Sequence, residues 1–371
     1  MNIAIVHDMI VDRGGAERVL WLFHLAFPNA PVYTTAYLSE FTYPEFKSIK
    51  IHSTWYDKIA NTSDKYRKYY FPAGYLASKS IDLRKYDVIL QSTTHGAKYA
   101  KFNKDARIFS YCYTPFRLVW NTESYESVVS VKGFKKKLYD FAIKYLRKKD
   151  YESAQRPNYY IAMTQETASR IKNNYHAKVD VVMNPPIDCQ KYYLTEKISD
   201  YYLIVSRLES YKKVDLAIKV FNRLGIPLKI VGNGTQKEYL KSIANKNIEF
   251  LHGISDEQLI RLYSFAKALI FPQYEDYGLT PLEANACGRP VIAYARGGVL
   301  ETMVPFNGKN ENEATAIFFN AQNEESLEEA ILKSYNVQFN SVAIRKHAEL
   351  FDAQIFIKKI QEYIKSKVIP F

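Results

Sequence analysis

Cysteine is scarce in this chain: Cys112, Cys189 and Cys287 are the only three in 371 residues, and they lie far apart. Neither a disulfide framework nor a Cys-x-x-Cys metal site is suggested by that spacing. No run of eighteen apolar residues occurs, so no transmembrane helix is expected. The chain opens directly on the strand-like Ile3-Ala4-Ile5-Val6, without the basic segment, apolar stretch and small-residue cleavage site of a secretory signal. Metal-gripping Asp-x-Asp pairs are missing as well; Asp8 and Asp12 stand too far apart to form one. These absences point to a cytoplasmic protein that needs no metal.

What is present is a globular composition, 47% hydrophobic and 24% charged, in a chain long enough for two domains. The net charge of +12 is lopsided. Residues 1–183 carry 28 Lys and Arg against 17 Asp and Glu, whereas residues 184–371 carry 23 against 22. A basic half suggests an anionic partner, either nucleic acid or an acidic membrane surface.

The sharpest chemical signal is the stretch FPQYEDYGLTPLEANA, Phe271 to Ala286. The apolar run Ala268–Phe271 before it reads as a short buried strand, and Pro281-Leu282 as the opening of a helix. Between them the backbone N–H groups of Gly278, Leu279 and Thr280 meet a helix N-terminus, a setting suited to phosphate. Glu275 and Glu283, eight residues apart, flank that position and can accept hydrogen bonds from hydroxyl groups. A phosphate between two hydroxyl-rich groups describes a nucleotide sugar.

This E-x7-E pattern, followed by Gly288-Arg289-Pro290-Val291-Ile292-Ala293 and by Gly297, Gly298 and Glu301, resembles the donor site of retaining GT-B glycosyltransferases of family 4. The resemblance implies an α/β fold of two Rossmann-like, doubly wound domains facing a cleft. Glu275 would then be the catalytic carboxylate against the donor sugar, Glu283 the ribose acceptor, and Gly278, Leu279 and Thr280 donors to the diphosphate.

The N-terminus is consistent with this. His7-Asp8 and Gly14-Gly15-Ala16-Glu17-Arg18 lead into a helix with apolar Val19, Leu20, Leu22 and Phe23, a strand, glycine-rich loop, helix unit. It is similar to a family 4 subgroup rich in mannosyltransferases of surface-polysaccharide (O-antigen and capsule) synthesis, although Met9 stands where that subgroup commonly has tryptophan. The resemblance places Gly14 near the acceptor and Gly15 near the donor phosphates. Strands at Tyr86–Gln91 and Ala106–Cys112 end in the loops Ser92–Lys98 and Tyr113–Trp120, at the strand ends where ligands collect in open α/β sheets. Where the family usually has a histidine contacting the transferred sugar, this chain has Tyr113. A phenol still hydrogen-bonds but does not titrate near neutrality. His95 is the nearer histidine, either a polar contact in the site or a ring satisfied by backbone groups. Arg117 and Trp120 are acceptor candidates; a guanidinium suits an acceptor phosphate, and an ordinary surface ion pair is the alternative.

Val131 to Asp150 carries Phe134, Leu138, Phe141, Ala142, Tyr145 and Leu146 along one helical face, with Lys135, Lys136, Lys137, Lys144, Arg147, Lys148 and Lys149 around them. Such a helix either packs its stripe on its own domain or lies on an anionic inner membrane surface. Asn184-Pro185-Pro186 resists helix and strand, so 184–200 reads as a linker between an acceptor-binding domain, 1–183, and a nucleotide-sugar-binding domain, 201–352. A last helix, 353–371, is expected to cross back to the first domain. In the second domain, Arg207 and Lys212 occupy the diphosphate-binding places of the family's G-R-L-x-x-x-K-G, with Ser206 and Lys213 replacing its glycines. Gly253 and Ile254 would line the base pocket.

The resulting expectation is a metal-independent hexosyl transfer without a cofactor. The leaving diphosphate itself takes the acceptor proton, on the face the sugar leaves from, and Arg207 and Lys212 stabilise the developing charge. Similarity to the subgroup favours GDP-mannose as donor; UDP-hexose, GDP-fucose and dTDP-rhamnose stay open. The acceptor would be a lipid-linked saccharide, with the protein peripheral on the cytoplasmic face of the membrane. A basic nucleic-acid-binding module leaves the E-x7-E constellation unexplained, so no nucleic-acid partner is expected. A scaffold role, and an epimerase or phosphorylase on the same fold, rank below transfer.

Overall fold

The computed structural model describes residues 2–121 and 133–368. The chain divides into two units, Met1–Pro185 with Phe356–Phe371, and Pro186–Ile355.

Unit 1 begins with five consecutive buried residues, β1 (Ile3–His7), apolar on both faces as a parallel strand covered by helices must be. Beside it lie β2 (Val32–Thr34), β3 (Ile51–His52), β4 (Val88–Thr93), β5 (Arg107–Cys112), β6 (Tyr159–Ala162) and β7 (Val181–Val182). All pair in parallel, in the order β3-β2-β1-β4-β5-β6-β7. The direction of winding reverses between β1 and β4, and the crevice at the carboxyl ends of those two strands is the natural binding position in such a sheet. The helices are α1 (Gly15–Ala26), α2 (Ser63–Tyr69), α3 (Tyr75–Ser80), α4 (Arg117–Trp120), α5 (Phe134–Ala154) and α6 (Gln165–Tyr175).

Within unit 1, α11 (Ala353–Val368) packs from Phe356 onward. Phe356 stacks on Phe23 at 5.8 Å and meets Tyr111 at 6.0 Å, and Ile360 and Ile364 are fully buried. Residues 369–371 of the expected terminal helix lie outside the described residues.

Unit 2 holds β8 (Tyr202–Val205), β9 (Leu228–Val231), β10 (Ile248–Leu251), β11 (Leu269–Phe271), β12 (Val291–Tyr294) and β13 (Ala316–Phe319), again parallel, ordered β10-β9-β8-β11-β12-β13. Its reversal falls between β8 and β11. Among its helices, α7 (Val214–Leu224) buries Val214, Ala217, Ile218 and Phe221, the i, i+3, i+4, i+7 face. Gly225, at φ +65°, ends it in the left-handed conformation. Further helices of this unit are α8 (Asp256–Phe265), α9 (Leu279–Ala286) and α10 (Ser341–Glu349).

Two boundaries differ from the sequence reading. The stretch 187–192 is packed structure of unit 2 rather than free linker: Ile187 exchanges backbone hydrogen bonds with Phe351 and Ala353, and Arg345 donates to the carbonyls of Cys189 and Tyr192. A proline pair stops helix and strand but does not stop the residues after it from pairing. The helix expected from Pro281 starts at Leu279, because Gly278, at φ +96°, turns the chain two residues earlier.

Candidate functional site

In unit 2 the loops leaving β8 and β11 converge. Lys212, at the end of a short 3-10 turn, is only 7% exposed, and its Nζ pairs with the Glu275 carboxylate. Gln273 Nε2 donates to the same carboxylate at 3.3 Å. Three residues on, Gly278 caps α9 with no side-chain hydrogen bond. The first amides of the helix, those of Leu279 and Thr280, therefore have no intrahelical acceptor. A β-carbon on Gly278 would lie 2.9 Å from Phe271, so glycine is needed for close approach as well as for its φ. One turn into α9, buried Glu283 accepts a hydrogen bond from the Tyr263 hydroxyl at 2.8 Å. Arg207, exposed, donates to the Tyr211 hydroxyl at 2.8 Å, and the Lys212 ammonium lies 5.1 Å over the Tyr211 ring.

Three participants here were not assigned a role from sequence. Tyr211 links Arg207 and Lys212, and Tyr263 holds Glu283 from α8, twenty residues earlier. Gly297-Gly298 clamps the loop: the Gly298 N–H donates to Glu275 O at 2.9 Å, and a β-carbon on Gly297 would meet that oxygen at 2.1 Å. The two glycines were legible as a motif, but their contact with the Glu275 backbone was not. By contrast, Gly253 and Ile254 leave the edge strand β10, two strands from β8.

Lys213 adopts φ +54°, the left-handed conformation suited to the glycine that the family pattern has there. A β-carbon makes this conformation costly, about 1–2 kcal/mol. Lys213→Gly is expected to stabilise the protein by about 0.5–1 kcal/mol, since the relief exceeds the added unfolded-chain entropy. A denaturant midpoint that stays put or falls would refute this.

In unit 1 the corresponding crevice is organised by Asp8, just past β1. Its carboxylate accepts from Thr93 Oγ1 (2.7 Å), Thr94 N (2.6 Å), Thr94 Oγ1 (2.7 Å), His95 N (3.1 Å) and Ala97 N (2.8 Å). Burial pushes the carboxyl up, but the His95 and His7 rings and these N–H groups outweigh it and hold Asp8 well below the usual carboxylate range. His95 Nδ1 is 2.7 Å from Thr94 Oγ1, and its ring stacks on Phe116 at 4.7 Å. Burial lowers its pKa, against the opposing pull of Asp8. Tyr113 is tied inward: its hydroxyl is 2.8 Å from Ser92 Oγ, which in turn is 2.8 Å from His7 Nδ1, and it donates to Ala16 O at 3.1 Å. Burial keeps this phenol protonated far above neutrality.

Gly14 and Gly15 sit at the N-cap and first position of α1. The Glu17 carboxylate folds back so closely that a β-carbon on Gly14 would lie 2.5 Å from it. Burial, with Asp12 and Asp8 nearby, raises the Glu17 pKa to about 7. Arg117 opens α4 and, with Thr114, Trp120 and Arg170, lines a hollow of about 180 Å³. The Trp120 indole N–H is spent on Asp150 at 2.8 Å. Asp150 also pairs with wholly buried Lys98 at 2.7 Å, which anchors α5 to this loop. Of the candidates in this half, His95 and Tyr113 line one crevice, whereas Arg117 and Trp120 belong to the hollow.

Comparison with known proteins agrees with this geometry. Residues 193–349 match the family model "Glycosyl transferases group 1". The chain is 30% identical over 167 residues to a glycogen synthase of Mycoplasma mobile, covering 42% of this chain and 35% of that protein. It is 21% identical over 300 residues to the alpha-1,3/1,6-mannosyltransferase ALG2 of Candida glabrata, covering 68% of this chain and 62% of that one. The chain thus spans less than two thirds of the length of either relative. Among solved structures, Anabaena HepE in complex with UDP superposes with a TM-score of 0.72 at 14% identity, covering 99% of this chain and 100% of that one. The chain therefore has the two-sheet GT-B fold throughout, and its segment 193–349, which contains Glu275, Lys212 and Glu283, matches the glycosyl transferases of group 1.

Proposed function

We propose that this protein transfers a hexose from a nucleotide sugar to a saccharide acceptor with retention of anomeric configuration, and that mannose from GDP-mannose is the favoured donor. The observation that carries the reading is the convergence on Glu275: a buried ammonium on its carboxylate, Gly297-Gly298 on its backbone, and a helix N-terminus three residues on. Arg207, Lys212 and the amides of Gly278, Leu279 and Thr280 take the diphosphate. Preorganised cations and amides stabilise the charge that develops on the leaving phosphate, so the step needs no metal. Glu283, held by Tyr263, takes the ribose hydroxyls, and Gly253 with Ile254 the base. Glu275 orients the sugar and favours its cationic transition state, and the leaving diphosphate accepts the acceptor proton. His95 and Tyr113 shape the sugar end of the acceptor unit.

The mannosyltransferase relative supports a mannose donor, and the UDP and UDP-glucose complexes of the Anabaena neighbour support a nucleotide-sugar donor of the uridine kind as the alternative. GDP-fucose and dTDP-rhamnose are further alternatives. A lipid-linked saccharide of surface-polysaccharide synthesis is the proposed acceptor, its phosphate at Arg117, with Trp120 and, on the α1 loop, Gly14 as further acceptor contacts. The protein would then work peripherally at a cytoplasmic membrane face, with α5 toward anionic lipid. Of α5's expected span, Val131 and Lys132 lie outside the described residues. No helix among the described residues is long and apolar enough to cross a membrane.

A thermal-shift panel of GDP, UDP, dTDP and ADP with their sugar conjugates tests the reading, because a ligand of the native state alone raises stability by mass action. One nucleotide should raise the melting temperature, and Arg207→Ala should abolish the shift. No shift with any nucleotide, together with tight salt-dependent RNA binding, would replace transfer by a nucleic-acid function.

A further inference from the structure

Taking the lipid-linked acceptor of that reading as its basis, we infer that unit 1 docks on an anionic bilayer through a composite face, made of the outward strip of α5 and the turn from Tyr69 to Leu76. The sequence suggested only the basic helix. The turn, some seventy residues earlier, is brought to it by the fold.

α5 is anchored on one side only. Ile143, Leu146, Asp150 and Ala154 are buried, at helical spacing. At about 100° per residue, Leu138, Phe141 and Tyr145 point to roughly the opposite side. They are 62%, 68% and 37% exposed. All of residues 135–141 are exposed, so of the two alternatives for the stripe, Leu138 and Phe141 do not pack inward on their own domain. Lys137, Lys144 and Lys148 line one flank of the strip, and Lys135 and Lys149 the other. The α5 carboxylates Asp140 and Glu152 are already matched, to Lys136 at 3.4 Å and Lys149 at 2.7 Å.

The Phe71 ring lies 6.2 Å from Tyr145 and extends the apolar strip onto the turn after α2. Tyr69, Phe71 and Leu76 are 42%, 38% and 53% exposed. Lys68 sits 5.5 Å over the Tyr69 ring, and Lys65 and Lys79 are exposed nearby in sequence. Aliphatic and aromatic side chains fringed by ammonium groups suit a membrane interface: the apolar bodies enter the acyl boundary while lysines reach lipid phosphates. A single-stranded nucleic acid would draw on aromatic stacking platforms and gain little from exposed Leu76 and Leu138. A second copy of the same face would set lysines against lysines.

The test is co-sedimentation of the full chain with vesicles of phosphatidylglycerol and phosphatidylethanolamine, against vesicles of phosphatidylcholine. The wild type should bind the anionic vesicles at least tenfold better. Leu138→Ser with Phe141→Ser, and separately Phe71→Ser with Leu76→Ser, should each weaken that binding at least threefold, and all four together at least tenfold. All four positions are exposed, so the variants should fold; the nucleotide thermal shift is the check that they have. Lys137→Gln with Lys144→Gln and Lys148→Gln should reduce the preference for anionic lipid. No wild-type binding, or an effect confined to the α5 pair, would overturn the composite face. So would unchanged vesicle binding alongside dissociation of a dimer in ultracentrifugation. Failure of the nucleotide shift in the wild type would count against the donor reading and leave the vesicle result to be judged by itself.

Discussion

Glu275→Ala is expected to cut turnover at least a hundredfold, about 2.7 kcal/mol of transition-state stabilisation, while nucleotide affinity changes little. The ion pair explains the split. Glu275 holds buried Lys212, so a bound diphosphate must share or take over that ammonium. Removing the carboxylate removes a competitor for Lys212 along with the group that steadies the sugar, so the diphosphate meets less competition for that ammonium. Glu275→Gln should bind nucleoside diphosphate at least as tightly as the wild type and still transfer slowly. Steady-state kinetics with a nucleotide titration separates the two effects. Activity surviving within about tenfold, roughly 1.4 kcal/mol, would remove Glu275 from the chemistry.

The largest loss of stability is expected from Asp8→Ala, about 3–5 kcal/mol, measured by urea unfolding. The substitution strands buried donors of the Thr93–Ala97 loop, a cost of the size found when one partner of a buried charged network is deleted. A loss below about 1 kcal/mol would show that the loop holds its shape alone. The pH dependence separates Asp8 from its neighbours. Because the folded-state pKa of Asp8 is depressed, its contribution is present above its ordinary value of 3.8 and disappears only as pH falls below that. His7 acts earlier. Burial lowers its pKa from 6.5 to about 4, so the unfolded chain gains a proton that the folded one refuses, and stability falls as pH drops through that window. The total is about 3 kcal/mol.

Much of the candidate site was legible in the sequence. Glycines, prolines, carboxylates and cations recur in fixed order along a chain whose strand ends must carry the ligands, so Arg207, Lys212, Glu275 and Glu283 could be named from spacing and resemblance. Helix starts were harder. Pro281 marked a helix, but the positive φ of Gly278 set where it began, and glycine does not announce its φ in sequence.

By itself, then, the sequence determined the two parallel sheets and the residue types at the loops leaving β8 and β11, because hydrophobic patterns and short motifs are local properties. Only the tertiary structure decided which partners those residues take: Glu275 on Lys212 across two strands, Tyr263 on Glu283, Tyr113 turned toward Ser92, and Phe71 beside Tyr145. Each pair is far apart in the chain, and no periodicity records a contact that depends on how sheets twist and helices settle. The direction of α5's apolar strip was settled the same way, since a stripe at helical spacing packs inward or faces outward according to what the rest of the fold brings to it.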